Sequence, residues 1–392
     1  MTDKLSYNER ELREFSEAAD TARFYGFKPF LPPSVLKQDL DAVKNFDQDH
    51  LAAEKAAMIR MFFEEKSNGI PLPALLYCNR PFPGSKEATL RKKPLHLESS
   101  IVCLGSMRPV CECLSMQAAI SILQQAGYKN LEVRLNSVGD KESLADFQRN
   151  LTLYIRKNIN SFPAELRQAI KKDPLIIVQN NKEEWKNFQN ACPKPLDFLS
   201  ESSRLHFKEI LEFLEVMNIA YSIDHTLLTD LNVGSETVFA IVDTSDNTET
   251  ILASGFRFNR LAKRIGFKKE LPSVMLNLSF KLIKKPKITK HKPIKPKFYL
   301  IQFGTEAKLQ SFLVLREFYK AKVPIVHALD KDKLGGQMSV AESSGASHIV
   351  LIGQKEALEG SVVIRDITTR AQQLVPIGEL SQRVKELALH NS

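Results

Sequence analysis

Hydrophobic positions fall into short periodic runs that alternate between helical and strand spacing. Residues 7–26 place Leu12, Phe15, Ala18, Ala19, Ala22 and Phe24 at helical intervals, and Gly26 stops the run. Phe27 to Leu31 reads as extended and ends at Pro32-Pro33. A second helix is expected over 51–65, through Leu51, Met58, Ile59, Met61, Phe62 and Phe63. Residues 71–77 and 95–104 read as strands of one sheet. Residues 114–127 read as a helix closed by Gly127. Leu131, Val133 and Leu135 alternate with Glu132 and Arg134, as a strand with one buried face requires. Residues 140–218 predict a mostly helical insertion. Strands return at 220–223, 237–242 and 250–253, and helices are expected at 260–265 and 274–283. The pattern is that of an α+β domain, a mainly antiparallel sheet with flanking helices.

Beyond residue 297 the pattern changes. Strands are expected at 298–302, 323–327, 348–352 and 361–365, and helices at 308–319, 335–344 and 377–389. This alternation predicts a small, largely parallel sheet flanked by helices, an α/β unit. The expected organisation is a core domain over 1–283, a Lys/Pro-rich linker over 284–297 and a second domain over 298–392.

Composition fits a globular protein, with 43% hydrophobic and 26% charged residues among 392. No apolar run approaches the roughly 18–20 residues that span a bilayer. The N-terminus is polar and without a signal-peptide core, so a cytoplasmic protein without membrane attachment is expected. The five cysteines, Cys78, Cys103, Cys111, Cys113 and Cys192, are irregularly spaced, which reads as reduced structural thiols and no metal site. The net charge of +9 is concentrated in residues 281–297, which carry eight lysines and no acid. The run reads as a charge-extended linker. Its lysines Lys284, Lys285, Lys287, Lys290, Lys292 and Lys295 are also candidates for RNA phosphate contacts.

One segment carries the strongest likeness. Residues 227–240, Leu-Leu-Thr-Asp-Leu-Asn-Val-Gly-Ser-Glu-Thr-Val-Phe-Ala, resemble the histidine-binding segment of histidyl-tRNA synthetases, in which Arg-Gly-Leu-Asp-Tyr-Tyr leads into Thr-Val-Phe-Glu. Other stretches keep the same order. Leu51-Ala-Ala-Glu-Lys-Ala56 lies where the family has Leu-Arg-Pro-Glu-Gly-Thr. Residues 130–143 are similar to its strand followed by Asn-Ser-Leu-Gly. Gly255-Phe-Arg-Phe-Asn-Arg-Leu261 sits where Gly-Gly-Arg-Tyr-Asp-Gly-Leu is usual, and the tail from Phe298 resembles its anticodon-binding domain. The likeness implies a class II synthetase-like core with a C-terminal anticodon-binding-like domain, tRNA as a partner, and dimerisation through the core. The segment between Pro33 and Leu51 looks shorter than in the family, which weakens the dimer expectation.

The resemblance also marks departures. Thr229 stands at the family's catalytic arginine, Asn232 at its aspartate, and Val233 and Gly234 at its tyrosines. Direct register puts Pro83 at the first phosphate-binding arginine, and Arg80 serves only if the register slips by about two residues. Glu98 and Val102 take the two polar positions that follow. On the late helix expected over 274–283, Lys281 replaces an acid and Leu282 an arginine. Adenylation gathers negative charge on phosphorus, so losing these groups removes the stabilisation the reaction needs. No catalytic residue is assigned. Glu54, Arg80, Thr237 and Arg257 are residual ligand-pocket candidates, with Glu54 and Arg257 alternatively structural ion-pair members.

Three functions are consistent with these residues. The first is a non-catalytic histidyl-tRNA synthetase-like protein that binds tRNA or a partner protein, with no cofactor. The second is an active histidine–tRNA ligase with divergent motifs, using ATP and Mg. The third is a regulatory subunit of ATP phosphoribosyltransferase, which the tail over 298–388 argues against.

Overall fold

The computed structural model describes residues 17–46, 51–64, 72–86, 96–179, 182–245, 249–282 and 297–390. Eight strands build the larger sheet: β1 (Lys28–Pro29), β2 (Ala74–Asn79), β3 (His96–Leu104), β4 (Leu131–Gly139), β5 (Tyr221–Ile223), β6 (Ser235–Asp243), β7 (Thr250–Arg257) and β8 (Ser273–Lys281). Their order is β1-β2-β3-β8-β7-β6-β4-β5. Only the outermost pairs, β1 with β2 and β4 with β5, are parallel. The expected antiparallel α+β core is present.

Residues 274–283 were expected to be helical, and here the structure differs. Ser273–Lys281 is β8, paired with β3 on one side and β7 on the other. Val274, Leu276, Leu278 and Phe280 enter one apolar core, and Met275 enters another across the sheet. A strand covered on both faces loses the apolar/polar alternation that distinguishes it from a helix.

Strand alternation gives the sheet two faces. The first carries the helices Glu17–Phe24, Val110–Gln125 and Glu201–Val216, packed on residues such as Ile101, Leu135, Phe239 and Leu276. On the second face, the helix Ala52–Glu64 packs over Leu76, Val102 and Met275. The helical insertion covers Val138 and Val238. Asp140 opens the insertion as the N-cap of Lys141–Asn158, accepting from Ser143 N at 2.9 Å and from Ser200 Oγ at 2.7 Å.

The tail sheet contains β9 (Phe298–Gln302), β10 (Ile325–His327), β11 (His348–Ile352), β12 (Ser361–Asp366) and β13 (Gln372–Pro376), in the order β10-β9-β11-β12-β13. The expected largely parallel sheet is in fact mixed. β10 and β11 run parallel to β9, whereas β11–β12 and β12–β13 are antiparallel. β13 lies outside the expected strands because Gln372, Gln373 and Pro376 give it little apolar signal.

The tail is not merely tethered to the core, as the lysine run suggested. Its helix Thr305–Ala321 shares one apolar cluster with the core helices. Phe312 and Phe213 meet edge to face at 4.7 Å. Gln117 Nε2 donates to Phe312 O at 3.2 Å, and Arg316 Nη1 donates to Met217 O at 3.3 Å. His327 Nε2 lies 3.2 Å from Tyr25 O, beside Gly26 at φ +89, where an added β-carbon would meet the imidazole at 3.2 Å. Asp332 joins Arg108 of the core to Lys308 of the tail.

Cys103 and Cys111 form a disulfide between β3 and the following helix, with Cα atoms 6.1 Å apart, which corrects the expectation of reduced thiols for this pair. Cys78, Cys113 and Cys192 are free and buried. No helix among the described residues is long and apolar enough to cross a membrane.

Candidate functional site

The segment that should carry the family's chemistry is a turn closed on itself. Asp230 O accepts from Val233 N at 3.0 Å and from Gly234 N at 2.8 Å, and Asp230 Oδ1 accepts from Asn232 N at 2.7 Å. These local bonds satisfy the backbone as an Asx turn does. Val233 is fully buried beside Phe258, Leu261 and Met275, and Leu231 enters the core under the insertion. Thr229 packs over Gly234 so closely that a β-carbon there would lie 2.2 Å from Thr229 Cγ2. Arg260 Nη2 donates to Gly234 O at 2.7 Å and to Leu231 O at 3.3 Å, clamping the turn from outside.

Glu54 and Arg80 meet on the second face. Arg80 Nε donates to Glu54 Oε2 at 2.8 Å, and Phe82 N donates to Glu54 Oε1 at 3.0 Å. Glu54 is almost wholly buried, so both of its oxygens are engaged where no water reaches. Beside it, the fully buried Lys55 lays its ammonium 4.5 Å from the centre of the Phe256 ring. This side chain lies at the position of the glycine in the resembling Pro-Glu-Gly-Thr run and fills the space a glycine leaves open.

Thr237 and Arg257 belong to the other face. Thr237 alternates with Phe239 and Ile241, which pack on the helices. Its hydroxyl is buried and without a hydrogen-bond partner among the described residues. Arg257 is fully buried against Glu112 of the helix Val110–Gln125. Its Nε donates to Glu112 Oε1 at 2.7 Å, and its Nη2 donates to Glu112 Oε2. The remaining donors reach Ser106 O at 2.6 Å and Arg108 O at 3.1 Å. His206 Nε2 adds a contact to Glu112 Oε1 at 2.8 Å. Burial pushes the Glu112 pKa up, but Arg257 and His206 outweigh it and bring the carboxyl down to about 2. The four residual-pocket candidates therefore do not converge. They form two separate ion-pair environments on opposite faces, plus a buried threonine.

The phosphate-binding positions are similarly absorbed. Pro83 O accepts from Val35 N at 2.6 Å, and Val102 is buried in the second-face core. Lys281 is the exposed last residue of β8, and Leu282 packs against the first-face core. Between them, Ser100 Oγ donates to Asn277 Oδ1 at 2.7 Å on the second face. The RNA-contact candidates Lys284, Lys285, Lys287, Lys290, Lys292 and Lys295 lie outside the described residues. Among the described residues, no three His, Cys, Asp or Glu side chains converge as a metal-ligand set.

Sequence reasoning missed Glu112, Arg260 and Lys55 as structural determinants. Glu112 had a readable signal, because it is the only charge in the helix Val110–Gln125 and a lone buried charge requires a partner.

Residues 298–387 match the family model of the anticodon binding domain. The chain is 26% identical over 340 residues to the histidine–tRNA ligase of Bacillus velezensis, covering 84% of this chain and 79% of that protein. It is 25% identical over 340 residues to the histidine–tRNA ligase of Bacillus subtilis, with the same coverage. The crystal structure of apo histidyl-tRNA synthetase from S. aureus shares the fold at a TM-score of 0.53 and 20% identity, over 98% of both chains. With its antiparallel class II synthetase core and its C-terminal anticodon-binding domain, the chain is a member of the histidyl-tRNA synthetase family.

Proposed function

We propose that the protein is a non-catalytic member of this family, a cytoplasmic protein that binds tRNA through its anticodon-binding domain and acts in translation or its regulation. One observation carries the reading. The turn at 229–234 puts a packed threonine, a buried valine and a glycine where the family's arginine and tyrosines are expected, and Arg260 holds it closed. A synthetase needs preorganised cations for the charge that grows on the α-phosphate, and removing one such donor typically costs about 3–4 kcal/mol in the transition state. A pocket without polar partners for the imidazole also selects histidine poorly.

The experiment is histidine-dependent pyrophosphate exchange with ATP and Mg, beside tRNA binding at low salt. The expected result is no exchange and measurable binding. The names of the curated relatives favour a second reading, an active histidine–tRNA ligase with divergent motifs. Exchange near 1 s⁻¹, inside the ordinary enzyme range of roughly 1–10³ s⁻¹, establishes that reading instead. Absence of tRNA binding at low salt, where charge attraction is strongest, makes the tail a protein-docking module.

A further inference from the structure

A cleft of about 360 Å³ opens between the helical insertion and the sheet edge, lined by the segment from Gln189 to Lys194 and by β5 with the turn Asp224–Thr226 that follows it. Its volume is that of a small-ligand site. Most of its polar groups are already engaged. Asp224 Oδ1 accepts from Thr226 N at 2.8 Å and Thr226 Oγ1 at 2.6 Å. Gln189 Nε2 donates to Val178 O at 2.6 Å, and Arg134 is held by Glu132, Ser222 and Glu249.

Two groups remain available. The half-buried Lys194 makes no side-chain hydrogen bond or ion pair among the described residues. The Nδ1 of His225 is buried and has no partner among them. The two are neighbours: burial and then the Lys194 charge lower the His225 pKa, while Asp197 and Asp224 act in the opposite direction. An ammonium and an imidazole nitrogen, both without protein partners, are donors awaiting an acceptor-rich anion. A cation finds no free carboxylate in the lining, since that of Asp224 is engaged by its own turn.

We propose that this cleft binds a phosphoryl group, held between the Lys194 ammonium and the His225 imidazole. The site lies apart from the turn at 229–234 and does not depend on whether the protein is catalytic. The backbone of the turn is fixed to the sheet, because Asn136 Nδ2 donates to His225 O at 3.3 Å and to Leu227 O at 3.0 Å. The imidazole is thus presented at a constant position.

The test is a titration of the full chain, labelled at histidine, with inorganic phosphate, following the His225 ring resonances by NMR. The expected result is a saturable shift together with a rise in the His225 pKa, because the anion offsets the Lys194 charge. Lys194→Gln should weaken phosphate binding at least about tenfold, the consequence of losing one charge-assisted hydrogen bond, while Lys194→Arg retains it. No saturable shift in the wild-type protein, or equal binding by Lys194→Gln, overturns the proposal. Competition with an RNA stem identifies the source of the phosphate. Displacement points to a backbone phosphodiester and persistence to a small phosphoester, and both uphold the site.

Discussion

Arg257 on β7 and Glu112 on the helix Val110–Gln125 form a doubly hydrogen-bonded ion pair from which solvent is fully excluded. The guanidinium also holds the carbonyls of Ser106 and Arg108 in the turn between β3 and that helix. A residue that the sequence leaves open between ligand contact and structural pairing is thereby an anchor between sheet and helix.

Removing one partner leaves the other charged and buried. Arg257→Met is expected to cost about 3–5 kcal/mol, whereas Arg257→Met combined with Glu112→Leu recovers most of that loss. Urea unfolding measures both. A single substitution that leaves stability unchanged contradicts the anchoring role.

The same pair sets an acid limit. Glu112 titrates at about 2 in the fold against an ordinary value of 4.5, so the unfolded chain takes up its proton first as pH falls. The contribution is whole above about 4.5 and disappears as pH drops towards 2. Stability measured across this window should decline in the wild-type protein, and Glu112→Gln should flatten the decline. Equal slopes count against the assignment.

Docking of the tail should rest on apolar packing more than on charge. Phe312→Ala removes the ring packed on Phe213 and is expected to cost about 3–5 kcal/mol, splitting one thermal transition into two. Asp332→Asn, at a bridge whose acid is 55% exposed, should cost no more than about 1 kcal/mol and lose its effect in salt. Calorimetry of both variants distinguishes the two contributions. A larger effect for Asp332→Asn reverses the ranking.

For RNA, replacing Lys284, Lys285, Lys287, Lys290, Lys292 and Lys295 by glutamine should weaken tRNA binding and flatten its salt dependence. Each lost phosphate contact removes about 0.7–0.9 from the logarithmic salt slope. An unchanged slope in filter-binding or fluorescence titrations places the contacts elsewhere.

Much of the core was legible because its strands keep one buried face. The alternation of Leu131, Val133 and Leu135 marked β4, and the apolar spacing of residues 51–65 marked the helix Ala52–Glu64. β8 was misread because both of its faces are covered, so Val274 to Leu278 is nearly continuous apolar sequence. The site was legible as a set of departures at Thr229, Val233 and Gly234, but not as a geometry. Linear order cannot reveal that Thr237 and Arg257 point away from Glu54 and Arg80, because strand register and β-bulges decide the face. The bulge near Ser137 and Gly139 is one such shift.

The shared apolar cluster beneath Phe312 has a consequence for any ligand that reaches both parts of the molecule. With Tyr25, Phe213 and Phe318 in one continuous interior, the tail has no hinge at that seam on which to swing. The protein therefore works as a caliper of fixed opening. A ligand that touches both jaws has to bring the matching span with it, and discrimination by length and curvature follows from the packing alone.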